Sequence, residues 1–161
     1  MKLIGIVMII SACSFLGFIA AQKYDGMLKD IKRSEMLIRN IIFCLKNEHM
    51  SIRDIFDYIC ESADEKTKNF LEALSPGYFE NIGETALNCG FCKNSEALAV
   101  LSGAFAVLGK YSAKDQIREL EHCREKLILI YENNCENLKN KAKFSRKAGM
   151  ITGLFAAVIL L

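Results

Sequence analysis

The chain has 161 residues, 21 Lys and Arg against 19 Asp and Glu, and a formal charge of +2. That length allows one ordinary domain with short appendages, and so small and mixed a charge excludes the basic footprint of a nucleic-acid-binding protein. Seven cysteines, an odd number at irregular spacing, read as reduced buried thiols rather than a disulfide scaffold.

The first element is apolar. Leu3 to Ala21 contains no charge and only Ser11 and Ser14 as clearly polar side chains. As a helix, about 19 residues at 1.5 Å each cover the roughly 30 Å hydrocarbon layer of a membrane. A cleaved signal peptide fits less well, because Lys2 alone makes a thin positive region and Ile19-Ala20-Ala21 is a poor cleavage site. A third reading is a lipoprotein signal: Ile10-Ser11-Ala12-Cys13 resembles a lipobox, in which Cys13 is acylated and becomes the new N-terminus. Against it, the chain stays apolar for eight residues beyond Cys13.

The middle reads as helices with short joints, and composition agrees: one proline, no tryptophan, and abundant Leu, Ile, Glu, Lys, Ala and Asn. From Met27 to about Leu45 the residues Leu28, Ile31, Ile38, Ile41, Ile42 and Leu45 form a helical stripe; this helix can run on directly from the apolar segment, with Asp25-Gly26 as the alternative, a bend before it. Ser51-x-x-Asp54 is an imperfect capping box for a short helix through Ile55, Phe56 and Ile59. Another helix runs from about Asp64 to Leu74, and Ser75-Pro76-Gly77 marks a turn. A short segment from Ile82 to Leu87 leads into a loop, Asn88 to Asn94. Ser95 then opens a very apolar helix, Ala97 to Leu108, expected to be the best-buried element and closed by Gly109. Ser112 caps the final helix, whose stripe runs through Ile117, Leu120, Leu127, Tyr131, Cys135, Leu138 and Ala142. Nothing breaks it before the uncharged end, Ala148 to Leu161.

That end is about 21 Å long as a helix and barely crosses a bilayer alone; Arg146 and Lys147 can snorkel to the interface beside it. Small residues recur every four positions at Gly149, Gly153 and Ala157, and a similar series stands at Cys13, Gly17 and Ala21. Such stripes let helix backbones approach closely in lipid. Lys23, Lys29, Lys32 and Arg33 follow the first apolar segment, and Lys139, Lys141, Lys143, Arg146 and Lys147 precede the second. The positive-inside rule then puts the central part in the cytoplasm, where thiols stay reduced. The reading is all-α: a transmembrane helix over 1–22, a cytoplasmic antiparallel helical bundle over 23–147, and a C-terminal transmembrane segment over 148–161, the first and last helices continuing into the membrane.

The C-terminal half also carries a resemblance. Leu108-Gly109-Lys110, Asp115-Gln116, a long Glu/Lys-rich helix and Lys143-x-x-Arg146-x-x-Gly149-x-x-x-Gly153 before an aliphatic end resemble the stage III sporulation protein AB family. Leu16-Gly17-Phe18 with Tyr24 also fits. The family's Glu-Ile-x-Tyr stretch and Pro-Leu are not recognisable around Asn40 to Ile52, and Ser112 stands where the family usually has Asp. The resemblance implies a non-enzymatic, membrane-anchored subunit of the channel-like complex between mother cell and forespore. That family is similar to the platform proteins of type II secretion and type IV pilus machines. It further implies anchorage in the outer forespore membrane and, as partners, other subunits of the same complex, including its ATPase-like subunit.

One constellation looks chemical. Cys89-Gly-Phe-Cys92 could be half of a zinc site or a redox pair. Zinc needs two further ligands, and a redox pair belongs on a βαβ pattern that is not seen here; a structural role is the plainer reading. His49 and His122 have no Ser or Cys partner at a spacing that suggests a nucleophile and its base. The carboxylates Glu119, Glu121, Glu125, Glu132 and Glu136, interleaved with Arg118, Arg124 and Lys126, read as a solvated helix face with i,i+4 pairs, or as a docking surface for a basic partner. No glycine-rich phosphate loop is present. The expected protein is not an enzyme, takes no cofactor and binds no nucleic acid.

Overall fold

The computed structural model describes residues 2–47, 50–74, 79 and 81–159, without the side chains at 2–7, 9, 10, 47, 156, 157 and 159. Among the described residues all regular structure is helical: α1 (Lys2–Asn47), α2 (Ile52–Ser62), α3 (Glu65–Ala73), α4 (Ile82–Asn88), α5 (Ser95–Val107) and α6 (Ala113–Ile159). The contacts divide the chain into two compact units. One is Met1–Leu28 with Asn133–Leu161, and the other is Lys29–Glu132.

Of the two readings at Asp25-Gly26 the structure shows the continuous one, and α1 passes through it unbroken. One glycine inside a helix costs about 1 kcal/mol, too little to stop a ladder supported on both sides. Among the described residues no helix is long and apolar enough to cross a membrane. Within the two apolar ends, residues 160 and 161 and the side chains at 3–7, 9, 10, 156, 157 and 159 lie outside the described ones. The turn at Ser75-Pro76-Gly77 and His49 also lie outside the described residues.

The Lys29–Glu132 unit is a bundle around one core. Ile31, Leu37, Ile38 and Ile41 of α1 meet Ile55 and Ile59 of α2, Phe70 of α3, Leu101 and Phe105 of α5, and Leu120 and Leu127 of α6, all at most 2% exposed. Aromatic rings fill its centre. Phe70 stacks on Phe91 at 4.4 Å, and Phe105 meets Phe56, Phe70 and Phe79 at 6.0, 5.8 and 5.5 Å. Such pairs add about 0.5–1.5 kcal/mol each beyond area burial.

Local chemistry sets the helix starts. The Ser51 hydroxyl accepts the Asp54 N–H at 3.3 Å and donates to its carboxylate at 2.6 Å. Ser112 and Asp115 repeat this geometry at 3.3 and 2.7 Å to open α6. The sequence reading opens α5 at Ser95, but the cap sits one residue earlier, where Asn94 Oδ1 accepts the Ala97 N–H at 2.9 Å. Nor is α5 buried all round. Ala97, Leu98, Leu101, Ala104 and Phe105 face the core, while Ala99, Gly103 and Ala106 face outward. It is amphipathic by size rather than polarity, and a sequence reading based on polarity overstates its burial.

Candidate functional site

Among the described residues of the Lys29–Glu132 unit, Arg33 makes three side-chain hydrogen bonds. Its Nη1 donates to Asp30 Oδ1 at 2.9 Å and to the Phe91 carbonyl at 3.0 Å, and its Nε donates to Asp64 Oδ2 at 2.9 Å. The guanidinium also lies 5.9 Å from the Phe91 ring centroid. Asp30, buried in α1, accepts the Lys93 N–H at 3.3 Å through its other oxygen. One planar cation thus ties α1 to the N-terminus of α3 and to the loop between α4 and α5, a task suited to the fixed fork of donors on Arg. Asp64 stands at the N-cap of α3 without capping it. Its carboxylate is taken by Arg33 and by the Thr67 hydroxyl. Burial raises its pKa, yet those hydrogen bonds and the Arg33 charge hold it below the ordinary value.

The loop Arg33 grips is Cys89-Gly90-Phe91-Cys92. Gly90 has φ of +63°, the Gly90 N–H reaches Leu87 O at 3.0 Å, and the Phe91 N–H reaches Ala86 O at 2.9 Å. These are the two bonds of a Schellman motif ending α4. Phe91 then enters the core, fully buried. The metal candidates Cys89 and Cys92 point to backbone instead: Cys89 Sγ lies 3.7 Å from Asn69 O, and Cys92 Sγ lies 3.8 Å from Asn94 O. Among the described residues no three metal-capable side chains gather, and all seven cysteines are free thiols. Burial pushes the Cys92 thiol up, away from the thiolate that redox or metal chemistry needs.

A second charged group joins α1 to α6. Glu35, 3% exposed, accepts from Arg124 Nε at 2.7 Å and from Lys32 Nζ at 2.9 Å. Burial raises its pKa, but hydrogen bonds from Arg124 and then Lys32 outweigh that and hold it low. Sequence reading missed Asp30, Arg33 and Glu35. A signal existed: Asp30, Ser34 and Leu37 share one helical face with the apolar stripe, so a charge there had to be buried.

The Leu108-Gly109-Lys110 and Asp115-Gln116 motifs meet at the joint between α5 and α6. Gly109 has φ of +77°, its N–H donates to Gln116 Oε1 at 3.2 Å, and Gln116 Nε2 donates to the Tyr111 carbonyl at 2.6 Å.

In the unit formed by Met1–Leu28 and Asn133–Leu161, the structure brings Gly17 and Gly149 together. A Cβ on Gly17 would lie 2.8 Å from Ser145 O and 2.9 Å from the Gly149 Cα; one on Gly149 would lie 2.8 Å from both Cys13 O and the Gly17 Cα. No side chain fits either position. The Ser145 hydroxyl donates to Gly17 O at 3.4 Å, and Arg146 reaches Asp25 at 2.6 Å. Gly153 is buried too, and the Ala157 side chain lies outside the described residues. Around this seam the large apolar side chains point outward: Phe15, Leu16, Met150, Ile151 and Phe155 are 53–68% exposed.

This is an all-helical protein whose polar clusters fasten helices to one another. A model of the stage III sporulation protein AB family matches residues 2–161, so the chain belongs to that family. No curated protein and no solved structure matches it.

Proposed function

We propose that this chain is a membrane-anchored structural subunit of the sporulation channel between mother cell and forespore, a helical platform that acts by binding partner subunits. The seam at Gly17 and Gly149 carries the reading. Glycines face inward and Phe15, Leu16, Ile151 and Phe155 face outward, the reverse of a water-soluble helix pair and the arrangement expected when lipid is the solvent. The sequence around it agrees: Leu3 to Ala21 and Ala148 to Leu161 carry no charge, and the basic residues beside both segments support a cytoplasmic side for the central bundle. Membership of the family supports other stage III sporulation proteins as partners. The ATPase-like subunit among them is inferred from the likeness to secretion platforms.

The lipoprotein alternative would cleave the chain before Cys13. The seam argues against it, since α1 runs continuously through Cys13 and the Cys13 carbonyl packs against Gly149. The test has two parts. A membrane-impermeant thiol reagent on intact sporulating cells should spare Cys89, and the purified protein should retain Met1 without acylation at Cys13. Detergent-solubilised protein should then co-purify with other stage III sporulation subunits. Labelling of Cys89 in intact cells would overturn the topology, and globomycin-sensitive processing would overturn the anchor.

A further inference from the structure

Two ridges of exposed side chains in the Lys29–Glu132 unit are complementary to each other. Between Lys29 and Lys46, α1 exposes Lys29, Lys32, Met36, Arg39, Phe43 and Lys46. The spacing alternates three and four, a heptad seam running straight along the helix. Every exposed charge on it is basic, because the acids of this stretch, Asp30 and Glu35, are buried. On α6 the outward ridge is Arg118, His122, Glu125, Leu129 and Glu132, again at alternating spacing. Lys126 points about 100° away from Glu125, off the ridge. Met36, Phe43 and Leu129 are 43%, 53% and 56% exposed, large apolar side chains for a helix face in water. Among the described residues Arg39, Glu125 and Glu132 take part in no ion pair.

Both ridges border one open groove of about 300 Å³, lined by Lys32 and Arg39 from α1 and by Ile128, Tyr131 and Glu132 from α6. The two helices run in opposite directions there, since Glu35 pairs with Arg124 and Lys46 with Glu121. A face carrying a basic ridge and an acidic ridge side by side is self-complementary, as a two-fold interface requires.

We propose that this face pairs with the same face of a second copy, α1 of each lying antiparallel on α6 of the other about a two-fold axis parallel to the helices. The heptad spacings set the register. Lys32 meets the second copy's Glu132, Met36 its Leu129, Arg39 its Glu125 and Phe43 its His122, and the set forms twice. Beyond that stretch Lys46 and Arg118 would face each other. Each is already neutralised at home, Lys46 by Glu121 at 2.6 Å and Arg118 by Asp115 at 3.5 Å. An anionic bilayer is the less fitting occupant of the basic ridge, because Glu132 and Asp64 line the grooves on its two sides.

The experiment measures the mass of the full chain in detergent by sedimentation across a concentration series, for wild type, Arg39→Glu, Glu125→Arg and the double variant. The expected result is a dimer whose dissociation constant rises at least roughly tenfold in either single reversal, where like charges face each other twice, and falls again in the double. Melting curves confirm that each variant is folded. A second measurement does not depend on charge reversal: Met36→Cys and Leu129→Cys chains carrying different tags, mixed and oxidised, should form a disulfide mapped to positions 36 and 129. A monomer at every concentration, a dimer indifferent to both reversals, or a monomer that loses binding to phosphatidylglycerol vesicles on Arg39→Glu would overturn the proposal.

Discussion

Gln116 holds Gly109 and Tyr111 at once, accepting the Gly109 N–H at 3.2 Å and donating to the Tyr111 carbonyl at 2.6 Å. One side chain at the start of α6 therefore closes the turn that ends α5. The two short C-terminal motifs that carry the resemblance are the two sides of this joint.

Gln116→Ala should destabilise the protein by about 1–2 kcal/mol, since it leaves a partly buried N–H and a carbonyl without a partner. Gly109→Ala should cost a similar amount, about 1–2 kcal/mol, through its φ of +77°. The added Cβ would also come 3.0 Å from Ile52 Cδ1, the far end of a flexible side chain. Chemical denaturation of the two variants and of Gly109→Ala with Ile52→Val separates these causes. The second change should recover only the contact, and full recovery would show that backbone strain contributes nothing.

Gly103 offers the opposite case. It sits in the middle of α5, exposed, with nothing within 4 Å of a Cβ built on it. Gly103→Ala should raise stability by about 0.5–1 kcal/mol. An unchanged or lowered denaturation midpoint would mean that this face is covered.

Acid should weaken the bundle through Glu35 and Asp64. Both carboxyls are held below their ordinary values near 4.5 and 3.8. The stability they confer is fully present above those values and is lost as pH falls through the lower folded-state ones. Thermal midpoints should therefore decline below about pH 4.5. Glu35→Gln should start less stable at pH 7 and decline less steeply in acid. Arg124→Ala should cost about 1–3 kcal/mol, towards the lower end because Arg124 is partly exposed.

The two cysteines of the α4–α5 loop should differ in reactivity. Cys92 is fully buried with its thiol pushed up, while Cys89 is half-exposed. At neutral pH Cys92 should alkylate at least roughly tenfold more slowly than Cys89, measured by mass spectrometry of timed iodoacetamide digests. Zinc should leave the melting temperature unchanged, and stoichiometric zinc lost in Cys89→Ser with Cys92→Ser would refute the helix-capping role.

Replacing Arg33 by Lys should cost about 2–3 kcal/mol, although charge is conserved, because one ammonium cannot span Asp30, Asp64 and Phe91 O. A Lys variant as stable as wild type would mean that only the charge matters.

Much of this was legible in the sequence because it is local. Helix starts follow from Ser51 and Ser112, whose hydroxyls reach the N–H three residues on. The Gly109 stop follows from the left-handed conformation that glycine tolerates, and the inward face of α1 follows from a 3.6-residue period. Cys89-Gly-Phe-Cys92 was ambiguous for the same reason, since a C-cap and a metal half-site share that spacing. Only the packing around it separates the two. Tertiary structure alone decided that Asp30 and Glu35 are buried yet satisfied, because the Lys93 N–H that reaches Asp30 and the Arg124 that reaches Glu35 are 63 and 89 positions distant in the chain. It also decided that Gly17 lies against Gly149, a contact too close for any Cβ. Sequence periodicity assigns each residue a face, but only the folded chain determines what that face meets.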